Sequence, residues 1–292
     1  MLIGVNLILN DATLPMRYVA PQIEAHGLDV LFLGEHTHVP VATVYPRTPD
    51  GSLPEFYKRF LDPFVQLSVA ASLTSTVRIG TGVVLVAERN PLELAKSVAS
   101  LDLVSNGRLE FGVGYGWNKL EMLNNGIDPA HRRAIFREKL LALRRLWTEE
   151  TVTCNGDFVS FTESWSFPKP LQTPSPPVLI GAAASRSTFD DVLRLGDGWY
   201  PLTSDDLPAE VAQLAEAAGG ALPPVTAVEM DGQREGAPWS WENAAAAKKL
   251  AANALAYADC GVHCLSIGVP ADDTERFNRA LDHLASLREL VQ

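Results

Sequence analysis

The chain has 292 residues, 47% of them apolar, with a mean hydropathy of +0.04, so it can bury a large core and does not read as disordered. Lys and Arg number 24 against 35 Asp and Glu, a formal charge of -11, which argues against nucleic acid and anionic membranes as partners because both select a cationic face. Three cysteines, Cys154, Cys260 and Cys264, suit a reducing compartment better than a disulfide framework, and with no basic leader and no apolar run near the ~20 residues of a membrane span the sequence reads as a soluble cytoplasmic protein.

Short β-branched apolar runs alternate with amphipathic segments along the chain. In order, strands are predicted at 2–9, 30–34, 77–86, 109–113, 178–182, 198–202, 225–230 and 263–269. Helices are predicted at 16–26, 62–74, 92–104, 131–148, 188–195, 208–218, 241–258 and 273–290. Strand-helix alternation of this length fits the α/β class and a closed (β/α)8 TIM barrel spanning 1–292 as one domain. A doubly wound sheet is the alternative; consecutive units without a composition break favour closure.

Punctuation supports the helices. Asp62-Pro63, Asn90-Pro91 and Asp128-Pro129 each put a capping residue before proline, and Asn106-Gly107 and Asp259-Cys260-Gly261 read as helix ends with left-handed glycine. The arginines of 131–148 read as a solvated face. Two stretches break the rhythm. Residues 40–54, rich in Pro and Gly, are predicted to form a lid loop, and 149–177 an insertion carrying a hairpin at Asn155-Gly156.

The carboxyl ends of barrel strands form the working face. Gly112, Gly114 and Gly116 fall at that end of the fourth strand, followed by Trp117 and Asn118. Strand tips without Cβ atoms let a flat ligand approach the backbone; a bulge or barrel corner is the structural alternative. The third strand carries Gly80 and Gly82, and the fifth runs through Gly181 and Ala182-Ala183-Ala184-Ser185 into a helix start that could hold phosphate. Glu35 and His36 follow the second strand. Together these residues describe a broad flat cavity with titratable groups on one wall.

The block "RIGTGVVLV…RNPLELAKSVASLDLVSNGRLEFGVGYGWN", with "LGEH" upstream and "VLIGAAASRS…RLGDGWYPL" downstream, resembles the bacterial luciferase-like monooxygenase superfamily. More narrowly, it is similar to the actinobacterial branch that uses the deazaflavin coenzyme F420. The resemblance implies hydride transfer between F420 and a small organic substrate, with His36 beside the reactive ring as general acid or base and Glu35 orienting it. It implies a bulge with a cis peptide at Gly82-Val83 behind the ring. Gly112, Gly114 and Gly116 would let cofactor and substrate approach, and Ala182, Ala183, Ala184, Ser185 and Arg186 would border the phosphate tail. An ordinary surface salt bridge is the other reading of Arg186. Relatives that oxidise sugar phosphates carry a carboxylate where this chain has Trp117, so Tyr115, Trp117 and Asn118 are expected to line a pocket for an apolar or aromatic substrate.

Three rivals accompany this reading. An oxygen-activating enzyme using flavin mononucleotide (FMN) shares the fold. A metal hydrolase would use the His36-Thr37-His38 spacing, although the other ligands such a site needs are not at strand ends. A flavin-binding protein without turnover is the third. The main reading expects no metal, a small-molecule substrate and a homodimer.

Overall fold

The computed structural model describes residues 1–230 and 239–292. Eight parallel strands form the barrel: β1 (Leu2–Leu7), β2 (Val30–Leu33), β3 (Arg78–Leu85), β4 (Leu109–Gly114), β7 (Val178–Gly181), β8 (Gly198–Trp199), β9 (Thr226–Glu229) and β10 (Cys264–Gly268). Ladders run continuously from β9 through β10, β1, β2, β3, β4 and β7 to β8, and the parallel bridges Trp199–Val225 and Leu202–Val228 complete the circle between β8 and β9. The (β/α)8 expectation holds, with strand bounds within a few residues. The sixth barrel strand is the shortest because Pro201, which has no amide hydrogen, cannot continue a ladder.

Around the barrel lie α1 (Met16–Ala25), α2 (Pro63–Leu73), α3 (Pro91–Val104), the short α4 (Lys119–Asn124), α5 (Arg132–Thr148), α6 (Arg186–Leu195), α7 (Leu207–Ala217), α8 (Ala244–Asp259) and α9 (Thr274–Val291). Asp62 and Asn90 cap α2 and α3 with their side chains as the sequence requires, and Gly107 and Gly261 take positive φ after helix ends. Asp128 does not cap α5. Its carboxylate accepts from Ala130 N instead, and the helix starts later, at Arg132. The arginine face of α5 is not simply solvated either. Arg137 pairs with Asp191 of α6 at 2.6 Å, and Arg144 with Asp197 at 2.8 Å.

Alternation along each strand divides the core in two. Val30, Phe32, Leu179, Tyr200, Val228 and Cys264 pack inside the barrel, while Ile3, Val5, Leu31, Ile79 and their neighbours face the helices. Gly80 exists for this packing, because a Cβ there would stand 2.3 Å from the Phe32 ring.

The insertion holds the antiparallel pair β5 (Thr151–Asn155) and β6 (Ser160–Trp165). Asn155-Gly156 is not the centre of its turn. The reversal spans 156–159, with Gly156 N donating to Val159 O, and Glu138 of α5 anchors it by accepting from the amides of Phe158 and Val159. None of the described helices is long and apolar enough to cross a membrane.

Candidate active site

A cavity of about 560 Å³ opens at the carboxyl ends of the strands, within the ~300–1,000 Å³ of ordinary ligand pockets. Its floor carries Asn6 and Tyr200, joined by Asn6 Nδ2 donating to the Tyr200 hydroxyl at 3.0 Å. His36, Tyr57, Phe60 and Trp117 form one wall; Gly114, Gly181 and Ala182 to Ala184 form another.

Val83 explains two of the glycines, Gly114 and Gly181. β3 bulges between Thr81 and Val84, and the Gly82-Val83 peptide inside the bulge is cis. A Cβ on Gly114 would stand 2.6 Å from one Val83 methyl, and on Gly181 2.7 Å from the other. A Cβ on Gly82 would stand 2.3 Å from the Tyr200 hydroxyl. The bare tips therefore seat a valine that itself lines the cavity. Gly112 is a correction to the sequence reading: it does not line the hollow. A Cβ there would lie 1.9 Å from the Thr81 carbonyl oxygen, so glycine is required by strand contact at the bulge. Gly116 does line the hollow, at φ 79°, a left-handed conformation that favours glycine.

His36 is held at both ring nitrogens. Nδ1 lies 2.6 Å from Glu121 Oε2, and the Trp117 indole N–H points to Nε2 at 3.0 Å. An indole N–H can only donate, so Nε2 carries the lone pair and Nδ1 carries the hydrogen that goes to Glu121. Glu121 is fully buried, and its Oε1 accepts from Thr37 N at 3.1 Å. Tyr57, Phe60 and Trp117 each present a ring edge-on to the imidazole, with centroids 5.3 to 5.6 Å away. In this tautomer the imidazole can take a proton at Nε2 once the indole turns aside; it has none to give there.

Glu35 does not orient His36. Its carboxylate accepts from Leu85 N at 2.9 Å and pairs with Arg89, which ties β2 to the end of β3. The orienting carboxylate is Glu121, which sequence reasoning missed. The Asn118-x-x-Glu121 spacing of a capping box was its available signal. Asn118 is likewise not a pocket residue: it caps α4, accepting from the amides of Leu120 and Glu121, and donates to Thr43 Oγ1 at 3.1 Å. Tyr115 and Trp117 both line the cavity. Tyr115 donates to Asp191 at 2.6 Å beneath the Arg133 guanidinium, 4.3 Å from its ring centroid.

Ser185 and Arg186 lie past the lining residues. Ser185 spends its hydroxyl capping α6, accepting from Thr188 N, while Arg186 is exposed. Arg133 and Arg137 reach the same helix start through the Ser187 hydroxyl, at 2.6 and 3.2 Å. His36 and His38 do not converge on a metal site. The His38 ring turns to Thr37 Oγ1 and Asn124, and among the described residues no cluster of three or more His, Cys, Asp or Glu is placed to hold a metal.

Glu88 lies behind this wall. Burial, reinforced by the charge of Glu121, pushes its carboxyl up to about 8, and Oε1 has no hydrogen-bond partner among the described residues while Oε2 accepts from Asn125 at 2.8 Å.

Residues 15–228 match the family model described as luciferase-like monooxygenase. The chain belongs to that family. It is 41% identical over 235 residues to an uncharacterized protein of Mycobacterium tuberculosis, covering 78% of this chain and 83% of that one. Its fold is similar to that of an F420-dependent secondary alcohol dehydrogenase, with a TM-score of 0.76, 18% identity and coverage of 100% and 99% of the two chains. The oxygenating constituent of 3,6-diketocamphane monooxygenase from Pseudomonas putida, in complex with FMN, superposes at a TM-score of 0.72, with 14% identity and coverage of 99% and 98%. These two structural neighbours share the fold of this chain.

Proposed function

We propose that the protein is an oxidoreductase that moves a hydride between coenzyme F420 and a small apolar or aromatic substrate. The observation that carries this reading is the His36 imidazole, fixed as its Nδ1–H tautomer with Nε2 accepting from the Trp117 indole, in the lining of a hollow that also holds Val83 seated among glycines. A tricyclic ring fits that arrangement: Val83 would support it from behind, and Ala182 to Ala184 would run beside its side chain. The α6 start, with Arg133, Arg186 and the Ser187 hydroxyl, would hold the phosphate through its free amides and cations. When bound, the deazaflavin supplies a ring carbon that accepts or releases hydride.

The chain's own residues do the rest. Glu121 holds the Nδ1 hydrogen of His36 and stabilises the imidazolium formed when Nε2 takes a proton from the substrate. Trp117, Tyr57 and Phe60 exclude water from that exchange and offer flat apolar faces to the substrate. The segment 40–54 acts as the lid. The unpaired state of Cys154, Cys260 and Cys264 supports a cytoplasmic setting.

We also propose a homodimer through α2. Its inner face buries Phe64, Leu67, Ala70 and Ala71, while Val65, Val69 and Leu73 form an exposed apolar stripe at helical spacing.

Fluorescence titration of the purified protein with F420 and with FMN tests the cofactor. Micromolar F420 binding with weaker FMN binding is expected. Tighter FMN binding transfers the assignment to the flavin enzymes, and binding of neither ends the redox reading.

A further inference from the structure

Arg47 is the cation of the cavity wall, and nothing above accounts for it. It lies on the segment between β2 and α2 and lines the hollow with Tyr57, Phe60 and Trp117. Its charge reaches the Tyr57 hydroxyl, where it opposes the burial that pushes that phenol up. The other arginines of this side are committed: Arg59 to Asp11 at 2.5 Å, and Arg89 to Glu35 and Asp62. Arg47 makes no hydrogen bond and no ion pair among the described residues. It is exposed to solvent and, among the described residues lining the cavity, is the sole Lys or Arg, so its charge is available to a ligand there.

The loop that carries it is fixed at several points. Tyr45 is buried, its hydroxyl 3.0 Å from that of Tyr57, and its ring meets Trp117 edge-on at 5.5 Å. Tyr45 N donates to Gly51 O, Thr48 Oγ1 to Ser52 O, and Asn118 reaches across to Thr43. Arg47 is thus presented, exposed to solvent, from a braced loop at the rim of the cavity that Tyr57, Phe60 and Trp117 also line. Among the described residues, Glu210 of α7 is the acid that lines the cavity from the other side of the barrel, and no ion pair joins it to Arg47. A planar fork donor at the rim of a cavity lined by Tyr57, Phe60 and Trp117 suits a carboxylate on a flat apolar body.

We propose that Arg47 binds the carboxylate of the substrate, and that the substrates are apolar, preferably aromatic, carboxylic acids lying along Tyr57, Phe60 and Trp117. This deepens the redox reading and rests on it. Carboxylates also occur in an oligoglutamate cofactor tail. The arrangement favours the substrate, because β3 and β4 separate β2, which leads into the Arg47 loop, from β7, which leads to the α6 start.

The test compares acids with their neutral amides: 2-naphthoate, 3-phenylpropanoate and phenylacetate against the matching amides, by calorimetry on protein with and without F420. The wild type is expected to bind at least one acid about tenfold or more tighter than its amide, as a charged hydrogen-bonded pair warrants. Arg47→Gln should bring acid and amide within about twofold, and Arg47→Lys should retain part of the preference. Equal binding of acids and amides by the wild type, a preference that survives Arg47→Gln, or no binding of any acid at millimolar concentration each overturns the proposal. In a second arm, F420 and its tail-free riboflavin-level analogue are titrated into Arg47→Gln. Unchanged affinity for both is expected; loss confined to the tailed form makes Arg47 a tail anchor and overturns the substrate assignment. Failure of F420 to bind the wild type removes the redox reading alone, since the acid and amide comparison without cofactor still stands.

Discussion

Nδ1 of His36 lies 2.6 Å from Oε2 of Glu121, and this contact, with the Trp117 indole on Nε2, decides which ring nitrogen carries the hydrogen. Glu121→Gln keeps the shape but replaces an obligate acceptor by a group that can turn either way. Turnover with F420 is expected to fall by about 10–100-fold in kcat, as for other residues that orient a working histidine, with F420 affinity unchanged. Nitrogen NMR of the imidazole gives a second readout. The wild type should show Nδ1 protonated and Nε2 bare, and the variant a mixture of tautomers. A single unchanged tautomer with unchanged kcat would mean that Glu121 serves only the fold.

The Val83 seat yields a packing prediction. Gly114→Ala brings a methyl against the Val83 side chain and should cost about 1–3 kcal/mol, the usual range for overpacking. Val83→Ala alone leaves a void. Together the two changes should destabilise by less than their sum, because the smaller residue at 83 makes room at 114. Urea unfolding of the three variants decides it; strict additivity would show that the two sites do not touch.

Glu88 predicts a pH dependence. Its folded carboxyl keeps its proton up to about 8, against 4.5 for the ordinary group. The folded state therefore binds the extra proton, so this contribution is full below about pH 4.5 and is lost as pH rises toward 8. Glu88→Gln removes the titration. Its Tm relative to the wild type should climb across that window, and parallel Tm curves would contradict the assignment.

The exposed face of α2 gives the last prediction. Val69→Asp puts a charge into the stripe of Val65, Val69 and Leu73. Light scattering should find the wild type as a dimer and the variant as a monomer with an unchanged barrel by circular dichroism. A monomeric wild type would leave that face without a partner of its own kind.

Local patterns carried the fold. Asn90 and Asp62 cap their helices because a short acceptor before proline has few other uses, and the continuous apolar run Val30–Leu33 marks a buried strand. Gly116 was placed by its position at the strand end, whereas Gly82-Val83 and His36 came from the family resemblance; all four residues line the cavity. The site was not legible where partners come from afar. Glu121 and His36 are separated by 85 residues, and nothing in the local spelling of Glu35 says that Arg89 will claim it. Gly112 was misread because a missing Cβ looks the same whether a ligand or a carbonyl needs the space.

Residues 114–121 supply a bare strand tip, two aromatic rings of the wall, the latch to Thr43 and the anchor of the imidazole. Gain or loss of a single residue inside that strip would displace all of them at once. Diversification within such a lineage is thus confined to exchanges of side chain along it, and transplanting the strip whole is the route by which another barrel would inherit this chemistry.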